Sequence, residues 1–346
     1  MVPLKAPAFW NTRSAAAWAL APLGLLWGTV GLIRRHMARP YRPGIPVIAI
    51  GNLTVGGSGK TPLVAALARH FTARGETVAI LSRGYGGSLE VATRVTAKHL
   101  ASEVGDEPKE LFDANVAAQI WVGARRAETA RLAEVAGATL LLLDDGFQHV
   151  ALARDVDVLT VNALTGFGNG LCLPAGPLRE FLSAADHADV LAVVGNGTPN
   201  LRGVTLPTHA LPFADDDLSW LKDGSVVAFC ALGVPEKFFT RLREQGLNVV
   251  EALGFPDHHP YRAKDISLLD ALATRHQARL VTTAKDAVKL PHVFRTRVAV
   301  VSPRLKPEGL LPLCHYLTER VTAARKRLKD PDETIVANAL AKPMTE

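Results

Sequence analysis

Residues 46–62 read PVIAIGNLTVGGSGKTP, followed by an Ala/Leu-rich segment, LVAALARHF, at 63–71. The apolar run Pro46–Ile50 suits a strand buried on both faces of a parallel sheet. A glycine loop opening a helix comes next, the arrangement that wraps backbone N–H groups around phosphate oxygens and adds the dipole of a helix N-terminus. Thr54, Val55, Gly56, Gly57, Ser58, Gly59, Lys60 and Thr61 are the candidate cradle. Lys60 would reach the β- and γ-phosphates, and the Thr61 hydroxyl would ligate Mg²⁺. The strict pattern places a glycine six positions before the lysine. Thr54 stands there, while GGSGKT is intact.

A second signature lies downstream. Thr139–Leu143 (TLLLL) reads as a buried strand and runs into Asp144-Asp145-Gly146. By itself such a run is commonly a turn. After a phosphate loop, an acidic strand end is where the metal or its water shell is held. No Asn-Lys-x-Asp guanine-reading motif occurs, so ATP is expected rather than GTP.

The N-terminal stretch Ser14–Ile33, SAAAWALAPLGLLWGTVGLI, carries no charge. It has about the length of a bilayer-spanning helix. Arg34, Arg35, His36, Arg39 and Arg42 come after it, against Arg13 before it. That asymmetry assigns the remainder of the chain to the cytoplasmic side. A spanning anchor, an interfacial helix, a signal peptide and a buried soluble helix all compete here, and Pro22, Gly24, Gly28 and Gly31 weaken a straight helix.

Further stretches carry candidate chemistry: ILSRGYGG (80–87), GDEP (105–108), GFQH (146–149), LPAGPLREF (173–181) and FPDHHPY (255–261). Each has a bland reading. Asp106 could cap a helix, Arg179 and Glu180 could be a surface ion pair, and Asp257, His258 and His259 could be a solvated loop or half of a metal site. Taken in order, these motifs resemble the tetraacyldisaccharide 4'-kinase family of lipid A biosynthesis. The likeness runs from the apolar N-terminal helix to about residue 290. Near its end the family pattern TEKDAVK appears as TAKDAVK (283–289), with Ala284 in the acidic position.

The resemblance implies an inner-membrane enzyme facing the cytoplasm. It uses ATP and Mg²⁺ to phosphorylate the 4'-hydroxyl of a tetraacylated glucosamine disaccharide 1-phosphate. It also implies roles. Asp106 is the candidate base, and His258 is its partner in a dyad across a domain cleft. Asp257 would orient the imidazole or touch the metal shell. Arg179 would stabilise the transferred phosphate, and Asp144, Asp145 and Glu180 would join Thr61 around the metal. Gln148 is a candidate donor to acceptor or nucleotide, and Arg83 and Tyr85 candidate lining of the acceptor side. The partner is the lipid substrate; no nucleic acid and no obligatory protein partner are expected. The rival classes are a membrane-recruited ATPase switch and a cytosolic metabolite kinase whose apolar N-terminus is core.

Alternating strand and helix signals predict an α/β fold: a doubly wound, phosphate-loop sheet with the site at the strands' C-terminal edge. A smaller C-terminal α/β lid domain should come after it. The expected divisions are a membrane helix at 1–36, a kinase domain at 37–203, a lid at 204–325 and a tail at 326–346. Residues 204–213 are expected to be an extended ribbon and Asp215-Asp216-Asp217 a solvated turn. The 346 residues suit about two domains. With 48% apolar and 21% charged residues, the chain is neither disordered nor a multi-span membrane protein. Three scattered cysteines (Cys172, Cys230, Cys314) form no disulfide framework and no zinc pair, which points to a reducing compartment. An excess of Lys and Arg (39) over Asp and Glu (33) suits an anionic partner. Aromatic residues at 6% argue against a base-stacking nucleic-acid binder.

Overall fold

The computed structural model describes residues 7–214 and 217–330. Eight strands form the first sheet: β1 Val47–Gly51, β2 Val78–Ser82, β3 Thr93–Arg94, β4 Gln119–Val122, β5 Leu140–Asp144, β6 Val156–Asn162, β7 Val190–Val194 and β8 Thr208–Leu211. Their order is β3-β4-β2-β5-β1-β6-β7-β8, parallel throughout except for the short antiparallel β3. Four parallel strands form the second sheet: β9 Ser225–Cys230, β10 Asn248–Gly254, β11 Arg279–Thr283 and β12 Val298–Val301, in the order β10-β9-β11-β12.

β1, β2 and β5 are buried along their whole length, as strands covered on both faces must be. One face packs under the helices Lys60–Thr72 and Pro307–Lys329, through Leu63, Leu67, Phe71, Leu313 and Leu317. The opposite face is covered by Ala130 and Ala133 of the helix Arg126–Val135 beside one half of the sheet and by Phe147, Phe167 and Leu178 beside the other. From β1 the chain winds first toward β2 and later toward β6. The crevice above β1 is therefore a topological switch point, where ligands of such sheets sit.

The division of the chain differs from the expected one. Thr208–Leu211, predicted to lie in a connecting ribbon, pairs with β7 and seats Leu211 in the first core. The helix Pro307–Lys329 returns to that same core, with Cys314 and Val321 buried in it, and runs past Lys326, where the tail was expected to begin. The second lobe is therefore inserted between β8 and this helix. Its two chain crossings lie side by side: Lys306 N donates to Pro212 O at 2.9 Å and Ala214 N to Arg304 O at 2.8 Å. Asp217 caps Ser219, with 2.7 Å from Ser219 Oγ to its carboxylate, while Asp215, Asp216 and the tail from residue 331 lie outside the described residues.

The apolar N-terminal segment forms one continuous helix, Ala15–His36, capped by Ser14. Only Ala17, Gly24 and Gly28 are buried in it, whereas Trp18, Leu25, Leu26, Val30 and Ile33 are exposed. It is long and apolar enough to cross a membrane. Its glycines, expected to weaken it, are the positions where it touches the body: a Cβ on Gly28 would strike the Phe181 ring, and one on Gly24 would crowd Cys172 O.

Candidate active site

The phosphate loop is held open by its surroundings. Val55 N donates to Pro177 O at 2.8 Å, the Ser58 and Thr160 hydroxyls lie 2.8 Å apart, and Thr160 Oγ1 donates to Gly51 O at 3.0 Å. Gly59, at φ +78°, lies hard against Val194, where a Cβ would collide. No other residue fits that turn. Gly56 and Gly57 face open space: a Cβ added at either would have nothing within 4 Å, which leaves room for a ligand. The helix then starts at Lys60 with no side chain capping it, so its first N–H groups are free to bind phosphate.

Lys60 Nζ is 3.1 Å from Asn52 Oδ1 and 3.3 Å from Asp145. Asp145 sits at φ +55° just beyond β5 and receives Arg179 at 2.9 Å. Burial works against its charge, but Lys60 and Arg179 outweigh it and hold the carboxyl below the usual range. Asp144 is different. It ends β5, is 1% exposed, and neither carboxylate oxygen has a hydrogen-bond partner. Burial, and next the nearby Glu107, push its pKa up to about 7. A buried carboxylate with two orphaned oxygens beside a phosphate loop fits a divalent cation. Among the described residues no three His, Cys, Asp or Glu side chains cluster to hold a metal, so such a cation would complete its shell with phosphate oxygens and water. Thr61 stands at the first turn of the loop helix, where its hydroxyl can join that shell.

Asp106 starts the helix Asp106–Asp113, which is preceded by Gly105 at φ +93°. A Cβ on Gly105 would crowd Tyr85 O, so the GYGG turn and the GDEP turn need each other's glycines. The second lobe reaches this point with three side chains. His258 Nδ1 is 2.9 Å from Asp106 Oδ2, Lys289 Nζ lies 3.9 Å from the same oxygen, and Lys285 Nζ is 3.2 Å from His258 Nε2. Asp257 Oδ1 accepts from His258 N at 3.1 Å and lies 3.6 Å from Lys285. Lys289 is steadied by the fully buried Asp286 at 2.8 Å. Tyr85 rests its ring edge on His258, at 5.9 Å.

The structure thus brings together Lys60, Thr61, Asp144, Asp145 and Arg179 on one wall, and Asp106, Asp257 and His258 on the other. Glu107 joins the walls, since its charge bears on Asp144. Gln148 joins the first set: Nε2 donates to Asn52 O at 2.8 Å and Oε1 accepts from Arg179 at 3.4 Å. Glu180 departs from its expected metal role. Oε2 takes Arg35 at 2.6 Å and Oε1 lies 3.6 Å from Arg34, so two guanidinium groups of the N-terminal helix already neutralise it. His259 is occupied by Asp265 at 3.0 Å and stacks on Phe255.

Several contributors carry no local signal in the sequence. Asn52 is fully buried and organises Lys60. Glu110 is pushed up to about 8 by burial and then by Glu107, with the charges of Asp144 and Asp286 adding to the rise. Arg126 is 3% exposed; burial lowers it to about 10, offset in part by the charge of Asp144. A cavity of about 310 Å³ opens beyond the loop between the lobes, walled by Asn162, Ala163, Val194, Phe213 and Gln245.

The chain matches the family model Tetraacyldisaccharide-1-P 4'-kinase over residues 16–320. The tetraacyldisaccharide 4'-kinase of Gluconobacter oxydans is 44% identical over 323 residues, covering 89% of this chain and 97% of that one. That of Parvibaculum lavamentivorans is 39% identical, covering 94% and 100%. A crystal structure of the Aquifex aeolicus enzyme in complex with ATP superposes with a TM-score of 0.69 at 27% identity, over 87% of this chain and 98% of that one. The family-model match over residues 16–320 and the 39–44% identity to relatives covered almost end to end show that the chain belongs to the tetraacyldisaccharide-1-P 4'-kinase family.

Proposed function

We propose that this kinase transfers the γ-phosphoryl group of ATP to the 4'-hydroxyl of a tetraacylated glucosamine disaccharide 1-phosphate, at the cytoplasmic face of the inner membrane. The observation that carries the reading is the contact between Asp106 and His258 across the cleft that faces the phosphate loop. An ATPase that merely hydrolyses nucleotide needs no carboxylate paired with a histidine that a second lobe brings to it.

Backbone N–H groups of residues 56–61 and the Lys60 ammonium would hold the phosphates. The adenine would enter the cavity beyond the loop, against the Phe213 ring. Gln245 lines that cavity, and its side-chain amide would be the group to meet the exocyclic amine. Asp144 and Thr61, joined by Asp145 once Arg179 has left it, would hold Mg²⁺ against the phosphates, where the ion would supply charge neutralisation. Asp106 takes the proton of the acceptor hydroxyl as the oxygen–phosphorus bond forms and the bond to the ADP oxygen breaks. His258 orients Asp106, and Asp257 and Lys285 orient His258. Arg179 stands at the edge of the site, able to leave Asp145 for the transferred phosphate.

The membrane assignment rests on the exposed apolar face of the Ala15–His36 helix and on the arginines that close it. Purified full-length protein should move ³²P from [γ-³²P]ATP to the disaccharide 1-phosphate in mixed micelles. Hydrolysis of ATP at an unchanged rate, with or without the lipid and with no labelled lipid, would favour the switch instead.

A further inference from the structure

The N-terminal helix does more than lie beside the body. Its contacts converge on the two segments that carry the catalytic wall. Trp27 Nε1 donates to the backbone oxygen of Arg179 at 2.9 Å, and Arg34 donates to Gln148 O at 3.1 Å. Arg35 donates to Phe147 O at 3.3 Å and pairs with Glu180 at 2.6 Å. Gly28 makes room for the Phe181 ring and Gly31 for the Glu180 stem. These residues flank Arg179 and the 145–149 turn, and Arg179 is bound to both Asp145 and Gln148. From there Gln148 and Asp145 reach Asn52 and Lys60. Glu180 is 3% exposed, so its charge needs a partner in this place. An anchor alone would require none of these contacts: a helix that only tethers the protein needs an apolar outside, and these are polar bonds on its inside.

We infer that Trp27 and Arg35 are positioning residues of the reaction, holding the 179–181 segment and the 145–149 turn so that Arg179 meets Asp145. The apolar helix is then part of the catalytic scaffold. Lipid that surrounds its outer face, at Trp18, Leu25, Leu26 and Val30, is mechanically joined through one layer of protein to the phosphate loop. The inference rests on the kinase reading above.

The test uses the full-length protein in mixed micelles at saturating disaccharide 1-phosphate. Trp27→Phe keeps an apolar aromatic ring on the helix while removing the N–H, at the cost of some ring area. We expect kcat to fall about fivefold, the worth of one hydrogen bond, with vesicle partition and acceptor KM unchanged. Arg35→Met should cost more, and Arg35→Lys should recover most of that loss by restoring the pair with Glu180. In an Arg179→Lys background, Trp27→Phe should cost less than twofold, because the group it positions has gone. A kcat within twofold of wild type for Trp27→Phe, or losses that multiply undiminished in the Arg179→Lys background, would overturn the inference. Trp27→Phe decides the matter even where Arg35→Met fails to fold. Wild-type turnover tests the kinase reading, and the variant ratios test the helix.

Discussion

His258 Nδ1 and Asp106 Oδ2 stand 2.9 Å apart, although 152 positions separate them in sequence and they belong to different lobes. The other ring nitrogen faces the Lys285 ammonium at 3.2 Å. An ammonium can only donate, so Nε2 accepts and the ring proton sits on Nδ1, where it is donated to Asp106. His258 holds this geometry at φ +58°, a conformation uncommon for a residue with a side chain. The backbone is shaped to deliver the imidazole.

Asp106→Asn should lower kcat about 10²–10⁴-fold with ATP KM little changed, the usual effect of removing a general base. His258→Ala should cost about 10–100-fold, since it removes the orienting bond and leaves the carboxylate. The double variant should be no slower than Asp106→Asn alone, because the two act as a unit. Steady-state kinetics of the three proteins checks this; multiplicative losses would separate the residues.

Lys60→Ala should act by a different route. Lys60 lies between Asn52 and Asp145 at the start of the loop helix. Losing it should weaken ATP binding as well as lower kcat, by an order of magnitude or more in each. Equilibrium titration with a non-hydrolysable ATP analogue measures the first effect without turnover. Unchanged affinity would remove Lys60 from phosphate binding.

Legibility from sequence depends on distance along the chain. β1, the loop, Lys60 and Thr61 are contiguous, and a buried strand feeding a glycine turn has one physical reading. The Asp144-Asp145 strand end is equally local. The Asp106–His258 pair is not: neither GDEP nor FPDHHPY states its partner, and only the ordered likeness to a family joins them. Glu180 misleads because its partner, Arg35, lies 145 positions earlier, in a helix whose sequence advertises its apolar residues alone. β8 reads as a ribbon because its exposed residues hide the one buried anchor, Leu211. Asn52 and Arg126 become legible only once burial is known, since a lone amide or guanidinium in sequence is usually solvated.

Glu110 gives a pH prediction. Its folded pKa, about 8, lies above the usual carboxylate value through burial and the neighbouring Glu107. The folded state therefore holds a proton that the unfolded state has lost between roughly pH 4.5 and 8, and stability falls as pH rises through that window. Glu110→Gln keeps the shape without the titration. Its unfolding free energy should exceed that of wild type at pH 9 by on the order of 5 kcal/mol and differ little at about pH 5. Denaturant melts at the two pH values check the sign.

The cavity beside Val194 makes nucleotide choice testable at Gln245. Gln245 lines the cavity with an amide that could accept from the amine of adenine, and Phe213 offers a ring for the base to lie against. Gln245→Ala should raise ATP KM about fivefold, one lost hydrogen bond, while kcat stays within about twofold, because the contact is made equally in ground and transition states. Gln245→Lys replaces an acceptor by a donor. It should raise ATP KM further and lower that of GTP, whose O6 is an acceptor at the corresponding place. KM values for both nucleotides in the three proteins decide the matter. A parallel change for ATP and GTP would mean that Gln245 supports the cavity wall without reading the base.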